Sequence, residues 1–423
     1  MKTVVKQTII LAVNGGSSSV KISVFSAEQG QSPTQIAESQ INGLTAPPAV
    51  LDYQRGGKTV VKDQEVDRKV KTQGDAFSLI LDTLIKDDEL PEVKSKDDIG
   101  IVCHRIVHGG DYTKPQLISE GTYHHLEELN DLAPLHNAPS LGIVRLCIEG
   151  LPSARNVACF DSQFHSTIPE HIHTYPIDQE IAHKNRLRKY GFHGISYAYI
   201  TRATADFLGK PPSDVSIIAL HLGSGASACA IRGGKSWDTS MGLTPLAGLP
   251  GATRSGNVDP SLVFHYASDV GKLSPASTSD LHISRAEEIL NKEAGWKALT
   301  GTTNFGVIAN APADDKKMAL AFDLLVDRIC AFVGSYFVSL RGRVDALVFA
   351  GGIGERSDRL RAAVVDQVGC LGFAIDEAAN GRKLQGAAVH DVGKKGVAPR
   401  VLVCQTDEQF EMARECAEDD EFW

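Results

Sequence analysis

Hydrophobic positions near the start of the chain fall into two unlike patterns joined by a turn of small residues. Ile9 to Val13 is an unbroken apolar run, as expected of a strand buried on both faces. After NGGSS, Val20, Ile22 and Val24 alternate with Lys21 and Ser23, the period of two of a second strand. Gly15 and Gly16 permit backbone angles closed to other residues. Two readings are open at this turn. It is an ordinary glycine hairpin, or a phosphate cradle in which backbone N–H groups, hydroxyls and one ammonium converge on an anion.

The arrangement returns about 207 residues later, roughly half the chain away, in SIIALHLGSGASACAI from Ser216. Two such units predict a duplicated architecture with a cleft between the halves. A third segment, VDALVFAGGIGERSDRLRAAVV, predicts a strand, a glycine turn from Gly351 to Gly354, and an amphipathic helix whose N-terminus suits a phosphate. DIGIVCHRIVHGG and NVACFDSQFH each run from strand into polar turn. From Asp314 to Arg341, Met318, Phe322, Leu325, Ile329, Phe332, Val333, Tyr336 and Leu340 recur at helical spacing, so these residues read as the core face of one long helix. Residues 27–75, with Pro47 and Pro48, are polar and irregular, and no element is predicted there. Strands alternating with helices indicate an α/β fold.

Composition adds bounds. A chain of 423 residues exceeds the usual size of one hydrophobic core, so two domains are expected. A net charge of -9 supplies no global basic field for nucleic acid or an acidic membrane. Lys2 and Lys6 before TIILAV faintly resemble a leader, but the apolar run is short and stops at Asn14, so it reads as the first strand. No run approaches the roughly 18 apolar residues of a membrane span. The 8 cysteines form no C-x-x-C pair and read as reduced, buried residues of a cytoplasmic protein.

Several familiar motifs fail. Gly57-Lys58-Thr59 lacks the earlier glycine of a Walker A loop, because Asp52 stands there. Gly223, Gly225 and Ala228 fit a dinucleotide fingerprint in spacing, yet a strand follows where a helix is needed; after Gly352 and Gly354, Ser357 replaces the third small residue. His104 and His108 have a zinc-like spacing that only a helix would put on one face, and their surroundings read as strand and turn. What remains is a set of polar residues at strand ends: Asn14, Lys21, Arg105, His136, Asp161, His193, Arg254 and Glu408. Charge-neutralising groups around glycine turns are what phosphoryl transfer requires.

NGGSSSVK, HRIVHGG, LAPLHNAPSLGI, VACFDSQFH, RKYGFHGIS, HLGSGAS, GKSWDTSMGLTPLAGLPGATRSGNVDP and AGGIGE, in that order, closely resemble the acetate kinase family. The resemblance runs from about Ile9 to Glu415. It implies the duplicated actin-like ATPase (ribonuclease H-like) fold of the actin/Hsp70/sugar-kinase superfamily, with the first hairpin as its phosphate-binding hairpin. The implied domains are residues 1–160 completed by 405–423, and a nucleotide-binding domain over 161–404. The implied activity is reversible transfer of the γ-phosphoryl of ATP to acetate, giving acetyl phosphate and ADP, with magnesium, or manganese in its place. A cytoplasmic homodimer is implied as well.

The resemblance also implies site roles. Asn14 and Glu408 are the metal residues. Lys21, with Ser17 and Ser19, faces the phosphates. Arg105 and Arg254 hold the acetate carboxylate and the phosphoryl group in flight, and His193 stabilises the transition state with help from His136. Asp161 is the family's catalytic acid, although a carboxylate nucleophile is already ionised at neutral pH and needs no base; Asp161 is therefore expected to orient an arginine or a magnesium water. Val107, Leu135, Phe192 and Pro245 line the methyl pocket. His221, Leu222, Gly223, Ser224 and Gly225, then Asn304, Phe305 and Gly306, then Gly352, Ile353, Gly354, Glu355 and Arg356 form the nucleotide segments. Departures from the family pattern cluster there: Ser224 replaces Asn, Asn304-Phe305-Gly306 replaces Asp-Phe-Arg, and Arg356 replaces Asn. QTDEQ stands for PTNEE at the metal segment, and GFHGISY for GFHGTSH. The alternatives are a propionate or butyrate kinase, a pyrophosphate-using form, an actin- or Hsp70-like ATPase acting on a protein, and a dinucleotide oxidoreductase.

Overall fold

The computed structural model describes residues 6–16, 18–45, 47–129, 134–266, 272–275, 277 and 283–423, the side chains of 134–136 excepted. Contacts divide the chain into two units, residues 1–163 with 407–423, and residues 164–406.

In the first unit the apolar run and its alternating partner form β1 (Gln7–Gly16) and β2 (Ser19–Glu28), paired antiparallel with Asn14 opposite Lys21. The sheet continues through β3 (Thr34–Asn42), β4 (Val50–Arg55) and β5 (Lys58–Glu65), and on the other side of β1 through β6 (Ile99–Ile106), β7 (Gln116–Leu117) and β8 (Arg155–Phe160). Its order is β5-β4-β3-β2-β1-β6-β8-β7, with β6 parallel to both β1 and β8. The segment 27–75 is therefore not irregular, because it supplies a three-strand meander. β5 reads KTVVKDQE and is almost wholly exposed, so no burial pattern marks it. Gly56 and Gly57, both at positive φ, make the turn into it. The helix Gln73–Ile85, started by a Thr72–Asp75 capping box, buries Phe77, Ile80 and Leu84 with Ile9, Leu11 and Val13 of β1.

In the second unit β9 (Ser216–Leu222), β10 (Ala226–Arg232), β11 (Lys235–Thr239), β12 (Ala346–Ala350), β13 (Val389–Asp391) and β14 (Arg400–Cys404) are ordered β11-β10-β9-β12-β14-β13. Both sheets contain the same five-strand core, an antiparallel meander whose first strand is followed by two parallel strands. That shared order is the duplication expected from the two Gly/Ser hairpins. Alternate residues of the second sheet face opposite ways. Ile218, Leu220, Leu347 and Val401 meet the helix Lys316–Ser339, whose Phe322, Leu325, Ile329, Val333 and Tyr336 are buried as the helical spacing predicts. Ile217, Ala219, Val348 and Leu402 pack instead with Tyr197 and Ile200.

The glycines after β12 differ from expectation. Gly351 to Arg356 is itself a short helix, broken at Ser357 before a second helix Asp358–Gln367. Gly351 has φ +75, and a Cβ there would lie 2.8 Å from the Leu222 carbonyl oxygen, so only glycine allows this close approach of strand ends. All 8 cysteines are free, and all but Cys370 are buried.

Candidate active site

In the first unit, three elements converge on Arg105. The parallel pairing of β6 and β8 sets Ile106 beside Phe160, so Arg105 at the end of β6 lies next to Asp161 just after β8. Arg105 Nε and Nη2 donate to Asp161 Oδ1 and Oδ2 at 3.1 and 2.8 Å, and Nη1 lies 3.0 Å from Glu408 Oε2. Asp161 is 1% exposed. Burial works against the Arg105 charge, but Asp161 and Glu408 outweigh it and raise the guanidinium pKa. Glu408 opens the helix Glu408–Glu418, which Asp407 caps by accepting from Phe410 N. Burial raises the Asp407 pKa against that bond. Gln409 Nε2 donates to the Ala12 carbonyl at 2.9 Å, which holds the helix start beside the end of β1, two residues from Asn14.

Magnesium, which the family resemblance implies, fits this corner. Asn14 and Glu408 are hard oxygen donors, and Glu408 Oε1 is buried with no hydrogen-bond partner. Magnesium takes one or two carboxylates plus substrate phosphates and keeps several waters, so it needs no larger cage.

Lys21 forms a 3.0 Å ion pair with Glu38 on β3. The Gly16 carbonyl, at the hairpin turn leading to Ser19, accepts from Gln73 Nε2 at 2.8 Å. Val107 follows β6 and is half-buried. Ser17 and the side chains of Leu135 and His136 lie outside the described residues. Asn137, next to His136 on the helix Pro134–Gly150, exchanges two hydrogen bonds with the His108 backbone at 2.9 and 3.0 Å, tying that helix to the loop after β6.

In the second unit His193 sits at φ +60 at the start of the helix Gly194–Leu208. Its ring stacks on His221 with centroids 4.2 Å apart, and Nδ1 lies 2.8 Å from Ser227 Oγ, which is 2.6 Å from the Tyr197 hydroxyl. Arg254 Nη1 donates to the Pro245 carbonyl at 3.1 Å. The loop carrying both is anchored to the β9–β10 turn, because Ala252 N donates to the Ser224 carbonyl at 2.8 Å. Gly225 completes the arrangement. A methyl group there would overlap Arg254 Nη2 and lie 3.6 Å from His193 Nε2, so guanidinium and imidazole both crowd over this glycine. Phe192, beside His193, is fully buried.

A cavity of about 460 Å³, within the range of small-molecule sites, is lined by Gly223, Ser224, Asn304, Phe305, Gly306, Gly352, Ile353 and Arg356. The structure thus brings together parts of the three segments that the family resemblance assigns to the nucleotide. It does not bring every residue of them. Leu222 and Gly354 are buried in the core, His221 stacks on His193, Gly225 lies under Arg254, and Glu355 accepts from Thr406 N at 3.4 Å. Phe305 is 4% exposed and packs between Trp296 and Phe322, so it serves mainly as wall. Trp296 and Arg359 also line the cavity, and the sequence reading missed both. An isolated tryptophan and a helical arginine carry no motif that could have singled them out.

The duplicated sheets are the architecture of the actin-like ATPases, and the enzyme class is a phosphotransferase acting on a carboxyl group. The acetokinase family model matches residues 9–414, and the chain belongs to that family. It is 71% identical to a probable acetate kinase of Chaetomium globosum over 99% of both chains. Among solved structures it is similar to a propionate kinase from Francisella tularensis, with 31% identity, TM-score 0.83, and 96% and 98% of the two chains covered. It is also similar to the acetate kinase of Porphyromonas gingivalis, with 32% identity, TM-score 0.80, and 96% and 98% covered. Among the described residues no helix is long and apolar enough to cross a membrane.

Proposed function

We propose that this chain transfers the γ-phosphoryl group of ATP to acetate, reversibly, giving acetyl phosphate and ADP. The observation that carries the reading is the Gly223–Gly225 turn, with the nucleotide-sized cavity on one side and the Arg254–His193 pair on the other. An acetate oxygen bonds to the γ-phosphorus while the bond from phosphorus to the ADP oxygen breaks. Acetate is ionised at neutral pH, given carboxyl pKa values near about 4, so no proton need be removed.

Arg105 and Arg254 cancel repulsion between two anions and hold them in line. If the Tyr197 hydroxyl donates to Ser227 Oγ and Ser227 donates to His193 Nδ1, the imidazole keeps its proton on Nε2 and can donate it to a phosphoryl oxygen. Asn14 and Glu408 would hold magnesium, which when bound neutralises charge on the phosphate oxygens. Lys21 and the serines of its turn are assigned to the phosphates, and His136 to the transition state. Val107, Leu135, Phe192 and Pro245 are assigned to the acetate methyl group. Such a pocket discriminates by about 1–3 kcal/mol per methylene, so propionate is a slower substrate. Hydroxylamine trapping of the acyl phosphate, with acetate, propionate and butyrate in parallel, tests the activity. Equal or faster turnover of butyrate would overturn the acetate assignment. A cytoplasmic homodimer completes the reading, and light scattering of the purified protein checks the dimer.

Asp161 is assigned to orienting Arg105, on the strength of their two-point hydrogen bond. Asp161→Asn is expected to reduce kcat by roughly 10- to 100-fold, as for a displaced electrostatic group, while the acidic limb of the pH profile persists. Loss of a single acidic ionisation in this mutant would assign proton transfer to Asp161 instead.

The cavity has few side chains free to read a base. Asn304 Oδ1 accepts from Gly306 N, Asn310 Nδ2 donates to the Gly306 carbonyl, and Arg359 Nη1 donates to the Ala309 carbonyl. Ser224 offers one hydroxyl and Gly306 none. GTP and ITP are therefore expected to support kcat/KM within about tenfold of ATP, a difference of roughly 1.4 kcal/mol. Pyrophosphate, which leaves most of the cavity unfilled, is expected to be poor. Donor kinetics at saturating acetate decide this, and a thousandfold preference for ATP over GTP would show that the base is read.

A further inference from the structure

The two carboxylates that grip Arg105 come from different elements, and one side chain ties those elements together. Gln163 is 7% exposed, and every arm of its amide is engaged. Its Oε1 accepts from Phe160 N at 3.0 Å, at the strand end that carries Asp161. Its Nε2 donates to Glu415 Oε1 and Oε2 at 3.0 and 2.8 Å. Glu415 lies two turns beyond Glu408 on the same helix, about 10 Å along its axis at 1.5 Å per residue.

We propose that Gln163 and Glu415 are positioning residues for the phosphoryl-transfer site, fixing the Asp161 strand end and the Glu408 helix in one register so that both carboxylates hold the Arg105 fork. The inference rests on the assignment of Arg105 to that site. Gln409 fixes the helix at its start, and Gly30 N donates to the Ala417 carbonyl at 2.8 Å near its far end. The Gln163 bond ties that far end to the strand end that carries Asp161. Loosening the register displaces Glu408 relative to Asp161, and a shift of about 1 Å in catalytic geometry can cost on the order of 100-fold in rate.

The tie depends on the charge of Glu415, because a carboxylate accepts from Nε2 with both oxygens, whereas a carboxylic acid offers an O–H that Nε2 cannot accept. Burial, reinforced by Glu411, raises the Glu415 pKa to about 7, with Gln163 and Arg414 opposing and Glu418 adding to the rise. Cys103 on β6, Cys159 on β8 and Cys416 also face it. The tie is therefore made above that pH and loosened below it.

The test uses the full-length enzyme and the variants Gln163→Ala, Glu415→Gln, their double, and Arg105→Ala. Readouts are kcat, KM for acetate and for ATP from pH 5.5 to 8.5, and thermal melting. Each single variant is expected to lower kcat at pH 8 by about tenfold with the KM for ATP unchanged. The double is expected to be no worse than Gln163→Ala, because that variant already removes every bond between the two side chains. The wild-type acidic limb near pH 7 is expected to vanish in Glu415→Gln, an isosteric change that carries the test alone if Gln163→Ala does not fold. Wild-type kcat in Glu415→Gln, or a loss of kcat with that limb intact, overturns the proposal. Full turnover in Arg105→Ala would instead overturn the site assignment on which it rests.

Discussion

Arg105→Ala is expected to lower kcat by roughly 100-fold or more, the scale of a lost electrostatic donor, and to lower the melting temperature as well. The two losses have one origin. Asp161 is almost fully buried, and Glu408 is 16% exposed at its side chain, so the guanidinium holds one carboxylate cut off from water and a second that is largely shielded from it. Removing one partner of a buried ion pair costs about 3–5 kcal/mol, since the remaining charge is left uncompensated. Arg105→Lys separates the two effects. Lysine keeps the positive charge and most of the stability, but it cannot engage Asp161 at two points and Glu408 at a third. The expected result is a variant that melts near wild type yet turns over slowly. Guanidinium added to Arg105→Ala is expected to restore part of the activity by filling the vacated space. Near-normal kcat in both variants would sink the assignment of Arg105 to the anions.

Arg105 and Asp161 were legible as polar positions at strand ends, because an ionisable residue after a buried strand has few structural uses, whereas Glu408, read the same way, opens a helix instead. Their partnership was not legible. Arg105, Asp161 and Glu408 lie far apart in the chain and meet only because β6 pairs with β8 and the helix Glu408–Glu418 returns to the same sheet. Gln163 was invisible for the same reason, since a glutamine after a strand carries no periodicity and its partner is on the last helix. The two hairpins and the long helix were readable because burial on known faces imposes a period of two or of 3.6. The β3–β5 meander was not, since its outer strand is solvated and its inward residues include Ser39 and Tyr53 among polar neighbours. The helical course of Gly351–Arg356 was hidden by its glycines, which disfavour a helix locally and are used there for closeness to Leu222.

Gly225→Ala is expected to abolish most activity while leaving the fold intact. Gly225 is not at positive φ, so alanine adds no backbone strain there. The new methyl would meet only the Arg254 guanidinium at overlapping distance, with Cζ at 3.2 Å and His193 Nε2 at 3.6 Å. A guanidinium is the far end of a flexible side chain and can move aside at little cost to stability. It cannot do so and remain where it is needed, and a displacement of about 1 Å suffices for a loss on the order of 100-fold. Gly351→Ala makes the contrast. There the methyl meets the backbone of Leu222 at φ +75, so strain and clash are both unavoidable, and the expected loss is in melting temperature. Gly225→Ala and Arg254→Ala should therefore show similar kcat, similar KM for ATP and near-wild-type melting of the glycine variant. Their double should be no slower than Arg254→Ala alone, because the methyl acts only through the arginine it displaces. Wild-type turnover in Gly225→Ala, or a double mutant slowed by the product of the two single effects, would show that this glycine does not act through Arg254.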